Sequence, residues 1–197
     1  MVAKAPSHME VVKRDQKAAR LKAFIREYFT DSAAMDSGDH PHQILIVASS
    51  IDSPVICALK SVFRETEMTG YTIRLILARI GSRDLKSELQ PIGLLAARWA
   101  ENAKLRDAHE QLVLGNSTSW TGDCMRREPT KRDAFESFIT DCSDTTAWAR
   151  KSFERLWDVS RPVQSSKPAN KPTNLLHSTL MQKLADKDAD VIVGTRH

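Results

Sequence analysis

The sequence predicts an α/β domain with a mixed, mainly parallel sheet and helices on both faces. Three observations predict it. Residues 43–48 (Gln-Ile-Leu-Ile-Val-Ala) form an apolar run rich in β-branched residues, suited to a strand buried on both faces. Ser53-Pro54 opens a helix, with serine at the cap and proline at the first position. That helix runs to about Glu67 and buries Val55, Leu59, Val62 and Phe63 until Gly70 stops it. Residues 71–78 (Tyr-Thr-Ile-Arg-Leu-Ile-Leu-Ala) supply a second strand. Strand, helix, strand in that order is a βαβ unit, so the two strands are expected to be parallel.

The remaining elements follow in order. Residues 1–8 are expected to be disordered. From Glu10 to Phe29 the periodicity is helical, with Val11, Ala18, Leu21, Phe24, Ile25 and Phe29 on one side. The other side is basic, carrying Lys13, Arg14, Lys17, Arg20 and Lys22. Asp31 to Pro41 reads as a loop. His40 and His42 lie at its end and are weak as a metal pair. Asp84 to Lys104 reads as mostly helical, broken near Pro91 and Gly93. A strand then follows His109, turns at Gly115-Asn116 and returns through Trp120 to Gly122. Residues 124–132 form a polar loop, 134–140 a strand, and Ser143 or Asp144 caps a helix burying Ala149, Phe153, Leu156 and Trp157. Arg161 to Pro172 reads as a linker. A short helix at 175–184 and a stray strand at 190–194 are expected in the tail. The organisation is thus 1–40 basic amphipathic helix and linker, 41–163 α/β domain, and 164–197 linker and tail.

Composition excludes some classes. The longest apolar runs fall well short of the roughly 20 residues that cross a bilayer, and the first residues lack a signal-peptide core. Three cysteines, Cys57, Cys124 and Cys142, have no paired spacing and fit a reducing compartment. The expectation is a soluble, cytoplasmic protein with no integral membrane association. Cys57 is read as buried filler. The net charge of +4 mildly favours an anionic partner. The excess concentrates in residues 13–22 and in Arg126, Arg127, Lys131 and Arg132. Either cluster is a solvated face or a surface for phosphate or nucleic acid. No glycine-rich phosphate loop, Cys-x-x-Cys pair or nucleophile elbow is present. Trp120, Trp148 and Trp157 are read as core rather than as ligand platforms. His109, Asp123 and Cys124 make a poor metal site because no second spaced pair accompanies them. No metal and no cofactor is expected.

With its elements in order, the chain resembles one half of a phospholipase D superfamily protein over roughly residues 43–162. The resemblance rests on the βαβ entry, His109, Gly122 within one position of the family glycine, Arg132-Asp133-x-x-Glu136 at the later polar strand, and Phe153 to Trp157 closing the last helix. It implies His109 as a phosphorus-attacking nucleophile, with Glu136 on the family's Glu-bearing strand. Asp123, outside the family pattern, is read as either an orienting partner of His109 or a surface carboxylate. The resemblance implies phosphate binding at Gln111 and Asn116; Arg126, Arg127 and Arg132 lie nearby as compensating cations, though none stands at a family position. The sequence departs from the family where the chemistry lies. The lysine position is Gln111, the aspartate position is Asn116, the serine position is Asp123, and Met125 stands near the asparagine. Gln111 removes a positive charge and Asp123 adds a negative one, which opposes phosphate chemistry. The expectation is therefore a degenerate, catalytically silent module that binds a partner or an anionic ligand. The alternatives are a divergent phosphodiesterase or nuclease using His109, and a nucleic-acid-binding protein using the basic helix and the 126–132 loop. Because the family builds its site between two halves, the resemblance also implies a homodimer with both His109 residues near the axis.

Overall fold

The computed structural model describes residues 8–33, 42–66, 71–81, 85–89, 92, 94–128 and 131–163. Residues 1–7, and the tail elements expected at 175–184 and 190–194, lie outside them. The strands are β1 (His8–Val12), β2 (His42–Ala48), β3 (Tyr71–Leu77), β4 (Leu94–Trp99), β5 (His109–Leu114), β6 (Thr118–Cys124), β7 (Ala134–Ile139) and β8 (Arg161–Pro162). The helices are α1 (Lys17–Ala33), α2 (Pro54–Glu65), α3 (Leu85–Leu89) and α4 (Ser143–Val159), with a 3-10 turn at Ala103–Asp107. Among the described residues the strands make one mixed sheet in the order β1-β7-β6-β5-β2-β3-β4-β8.

The sheet separates two cores because successive side chains of a strand point to opposite faces. Ile44, Ile46, Ile73, Leu75, Leu112 and Leu114 meet Leu21, Phe24, Ile25 and Phe29 of α1 and Val55, Leu59 and Val62 of α2. Leu45, Val47, Ile76 and Val113 face the other way, toward Phe153 with Leu156 and Trp157 of α4. Helices therefore cover both faces, as expected. Trp157 stacks on Phe153 and is flanked by the guanidinium groups of Arg74 and Arg98, at 4.2 and 4.8 Å from its ring centre.

Four expectations are corrected. Parallel pairing is confined to β2–β3 and β3–β4, and the other pairings are antiparallel. The connection between β5 and β6 is too short for the crossover that parallel strands need. His8, read as disordered, and residues 10–12, read as helix, belong to β1, which pairs antiparallel with β7 and whose burial alternates with period two. Helix α1 starts only at Lys17, and it contributes Leu21, Phe24, Ile25 and Phe29 to the main core. Residues 94–99, read as helix, form β4 beside β3; strand pairing overrides the helix propensity of its leucines and alanines. Arg161–Pro162, read as the start of a linker, pairs with β4. The chain divides into a compact unit ending at Val163 and a second unit, Gln164–His197, which lies outside the described residues. No described helix is long and apolar enough to cross a membrane.

Candidate functional site

The β5–β6 hairpin positions the predicted site. Its turn needs Gly115, which adopts φ +57°, and a Cβ there would lie 2.6 Å from the Tyr28 hydroxyl. Arg150 of α4 donates to the Gly115 carbonyl at 2.8 Å, tying the helix to the turn. At the other end the register slips. Gln111 opposes Thr121, but His109 opposes Cys124, so β6 carries one extra residue. Such a bulge re-aims side chains, and here it brings the Gly122 carbonyl to 2.8 Å from His109 Nδ1. A carbonyl only accepts, so Nδ1 carries the proton, and the neutral ring keeps its lone pair on Nε2. Gly122 admits no side chain, since a Cβ would lie 2.4 Å from the Trp120 ring.

Between the β5–β6 surface and α4 lies a cavity of about 410 Å³. His109, Gln111, Ser119 and Thr121 line it from the sheet, and Thr145, Trp148 and Ser152 from the helix. None of its lining residues is Lys, Arg, Asp or Glu. The site residues named by the sequence thus divide. His109 and Gln111 share the groove. Asn116 is exposed in the turn at the far end of β5. Asp123 does not pair with His109; its Oδ1 accepts from the Cys124 amide at 2.8 Å and from Arg127 at 3.2 Å. Arg126 is bound by Asp107 at 2.8 Å, and Arg132 is exposed on the loop before β7. None of the three arginines lines the groove.

Glu136 is on the opposite face of the sheet. It belongs to a buried polar cluster under α1 that sequence reading missed. Trp120 Nε1 donates to Glu136 Oε2 at 3.0 Å, and Lys17 Nζ lies 3.2 Å from Oε1, with both charged side chains 1% exposed. Glu110, equally buried, accepts at Oε1 from the Ser49 amide at 2.7 Å and the Ser53 hydroxyl at 2.8 Å. The Ser53 hydroxyl is therefore engaged with Glu110, and at the α2 N-cap it makes no capping bond. Burial pushes the Glu110 carboxyl up; its hydrogen bonds from Ser49 and Ser53 and the charge of Lys17 oppose this, and Glu136 adds to it. Burial also raises Glu136, against Lys17 and Trp120 and with a contribution from Asp123. Two signals pointed here. Lys17 sits four residues before Leu21 on the apolar stripe of α1, and alternation along β5 groups Glu110 with Leu112 and Leu114.

The same packing alters the basic clusters. Arg20 bonds Glu10 at 2.6 Å, Lys22 and Arg26 both bind Glu65, and Lys131 and Arg79 meet Glu128. Trp120 is core, but Trp148 is 68% exposed, contrary to expectation. It lies on the water-facing side of α4, away from Phe153. Cys57 is also exposed. No described group of three or more His, Cys, Asp and Glu is arranged to hold a metal ion.

No protein-family model matches the sequence, and no curated protein matches it. Solved structures do match. One is a phospholipase D family member, Nuc from Salmonella typhimurium, at 17% identity and a TM-score of 0.52, covering 81% of this chain and 99% of that one. Another is NucT from Helicobacter pylori, at 12% identity and 0.51, covering 80% and 98%. At these identities the likeness is one of fold: the chain has a phospholipase D-like α/β fold.

Proposed function

We propose that this chain is a degenerate phospholipase D-fold module that binds a ligand in the groove over His109 and does not hydrolyse phosphodiesters. One observation carries the reading: the residues lining the groove include no charged side chain apart from what His109 acquires on protonation. Phosphoryl chemistry develops negative charge, and losing one donor aimed at such charge typically costs about 10²–10³ in rate. Gln111 stands where the resemblance implies lysine. Glu136 is spent on Lys17 and Trp120, and Asp123 on Arg127. The test is hydrolysis of bis-p-nitrophenyl phosphate and of single- and double-stranded DNA, with wild type beside His109→Ala. Equal background in both is expected; turnover that disappears with His109 would overturn the reading.

A second reading, a divergent phosphodiesterase, has one observation in its favour. The Gly122 carbonyl holds His109 in the tautomer that leaves Nε2 free to attack. The same assay decides between them.

The module acts as a homodimer in this proposal. Val11 and Phe135 face each other across β1 and β7, with Met9 two residues along, and all three are more than half exposed. This apolar face continues the sheet surface that carries Thr121. Light scattering after size exclusion should give twice the chain mass for wild type and the chain mass for Phe135→Glu; a monomeric wild type would remove the dimer.

A further inference from the structure

Most of the cations that the sequence made conspicuous are committed inside the molecule. Lys17 belongs to Glu136, Arg20 to Glu10, Lys22 and Arg26 to Glu65, Arg126 to Asp107, and Arg127 to Asp123. Arg74 is held by both oxygens of Glu154. Two cations on α4 are different: neither Lys151 nor Arg155 meets a carboxylate among the described residues, and both are exposed. They sit three and seven residues after Trp148, which puts all three on one stripe of the helix.

Trp148 occupies a particular place on that stripe. Its indole lines the groove of His109 and also a neighbouring cavity of about 320 Å³, whose walls include Lys151 and Arg155. The Lys151 ammonium lies 5.3 Å from the ring centre, and Lys151 lines only the second cavity. A broad π surface thus faces water between a neutral hydrogen-bonding groove and a pair of uncommitted cations. Buried tryptophan holds a core together; an indole this exposed contributes little to folding.

We propose that the Trp148 ridge binds a nucleobase bearing a phosphate, with the base stacked on the indole, the phosphate at Lys151 and Arg155, and the base edge toward Gln111 and Thr121. This names the ligand class of the groove and rests on the binding reading above. Stacking platforms combined with backbone-tracking cations are how single strands are held without sequence reading. Gln111, Ser119 and Thr121 both donate and accept, as a base edge requires. A duplex does not fit the arrangement, because its base faces are stacked on each other. A docking protein would favour an uninterrupted apolar patch, whereas Ser152 and the two cations interrupt this one.

The chemistry is shared by a free nucleotide and a single strand, and the experiment separates them. Fluorescence anisotropy of labelled oligo-dT and oligo-rU is measured across NaCl concentrations, with thymidine monophosphate and inorganic phosphate as competitors. The proteins are the full chain, Trp148→Ala, Trp148→Phe and Lys151→Ala/Arg155→Ala. Removing a stacked aromatic typically costs about 1–3 kcal/mol per base, so Trp148→Ala is expected to weaken binding roughly 5- to 150-fold. Trp148→Phe should retain most of the affinity. The double variant should flatten the slope of log affinity against log salt by about 1.4, at roughly 0.7 per phosphate contact. Full displacement by the mononucleotide identifies a nucleotide site, and resistance to it a strand site; both support the proposal. Binding unchanged in Trp148→Ala overturns it, as does no binding of any probe at low salt. Cleavage of the labelled strand that depends on His109 would sink the silent reading and leave stacking intact. Absence of binding would sink stacking and leave silence intact.

Discussion

Glu110 and Gln111 are neighbours in β5, and the sheet sends them to different worlds. Glu110 points under α1 and α2, where Lys17, Glu136 and Trp120 form a sealed polar cluster. Gln111 points toward α4, into an open groove whose walls bear no fixed charge. The groove beside His109 is lined by no Lys, Arg, Asp or Glu, and the carboxylates and Lys17 are buried on the other face. Charge on the closed side holds the fold. Its absence from the lining of the His109 groove sets what that groove can bind. The two sides should therefore fail differently when altered.

The largest effect is expected at Lys17. Lys17→Met leaves Glu136 buried without its cation, and breaking a buried pair in this way typically costs about 3–5 kcal/mol. Urea unfolding at neutral pH should show it. Adding Glu136→Gln should restore much of the loss, because the amide needs no cation and still accepts from Trp120. A stability within about 0.5 kcal/mol of wild type in Lys17→Met, the usual surface range, would mean that the pair is solvated and the comparison is mistaken.

A smaller effect on the same face is a change of pH slope. Burial raises the folded-state pKa of Glu110 above its ordinary 4.5. Between 4.5 and that raised value the folded state binds more protons than the unfolded one, so stability falls as pH rises. The contribution is fully present below the unfolded value and lost as pH passes the folded one. Glu110→Gln keeps an acceptor for Ser49 and Ser53 and removes the titration. Urea midpoints measured upward from pH 4.5 should then decline less steeply than in wild type. Glu136 is raised by the same cause and keeps part of the slope. An unchanged slope in Glu110→Gln would show that its carboxyl titrates as it does when unfolded.

The two faces were not equally legible in the sequence. The βαβ entry, the hairpin at Gly115 and the α4 core could be read directly, because each is a local pattern of spacing or turn chemistry. β1 and β4 could not. Each is a short strand whose existence depends on a partner distant in sequence, β7 for the first and β3 for the second. On the groove side, His109 and Gln111 were named by the resemblance, and strand alternation puts them on one side of β5. The closed cluster was missed because its members come from β5, β7, α1 and the start of α2, and only tertiary packing joins them. Lys17 in particular was counted with its charged neighbours. Its position on the apolar stripe carried the better information.

The smallest effect on the fold, and the sharpest test of the comparison, is Gln111→Lys. The substitution returns a cation to the place where the resemblance implies one. Gln111 is 7% exposed but borders the open groove. A lysine stem can therefore lie along Val47 and Leu156 while its ammonium stays in the wet part of the groove. The stability cost should resemble that of a tolerated surface change, about 0.5 kcal/mol, in contrast to the loss at Lys17. Inorganic phosphate affinity, measured by calorimetry at low salt, should rise and then fall as salt is added, because the new contact is a screened charge. If phosphate binds no better, the missing lysine is not what distinguishes this groove from an anion site, and its shape rather than its charge sets what it accepts. If the variant unfolds as readily as Lys17→Met, the groove is as closed as the other face, and the division between them does not hold.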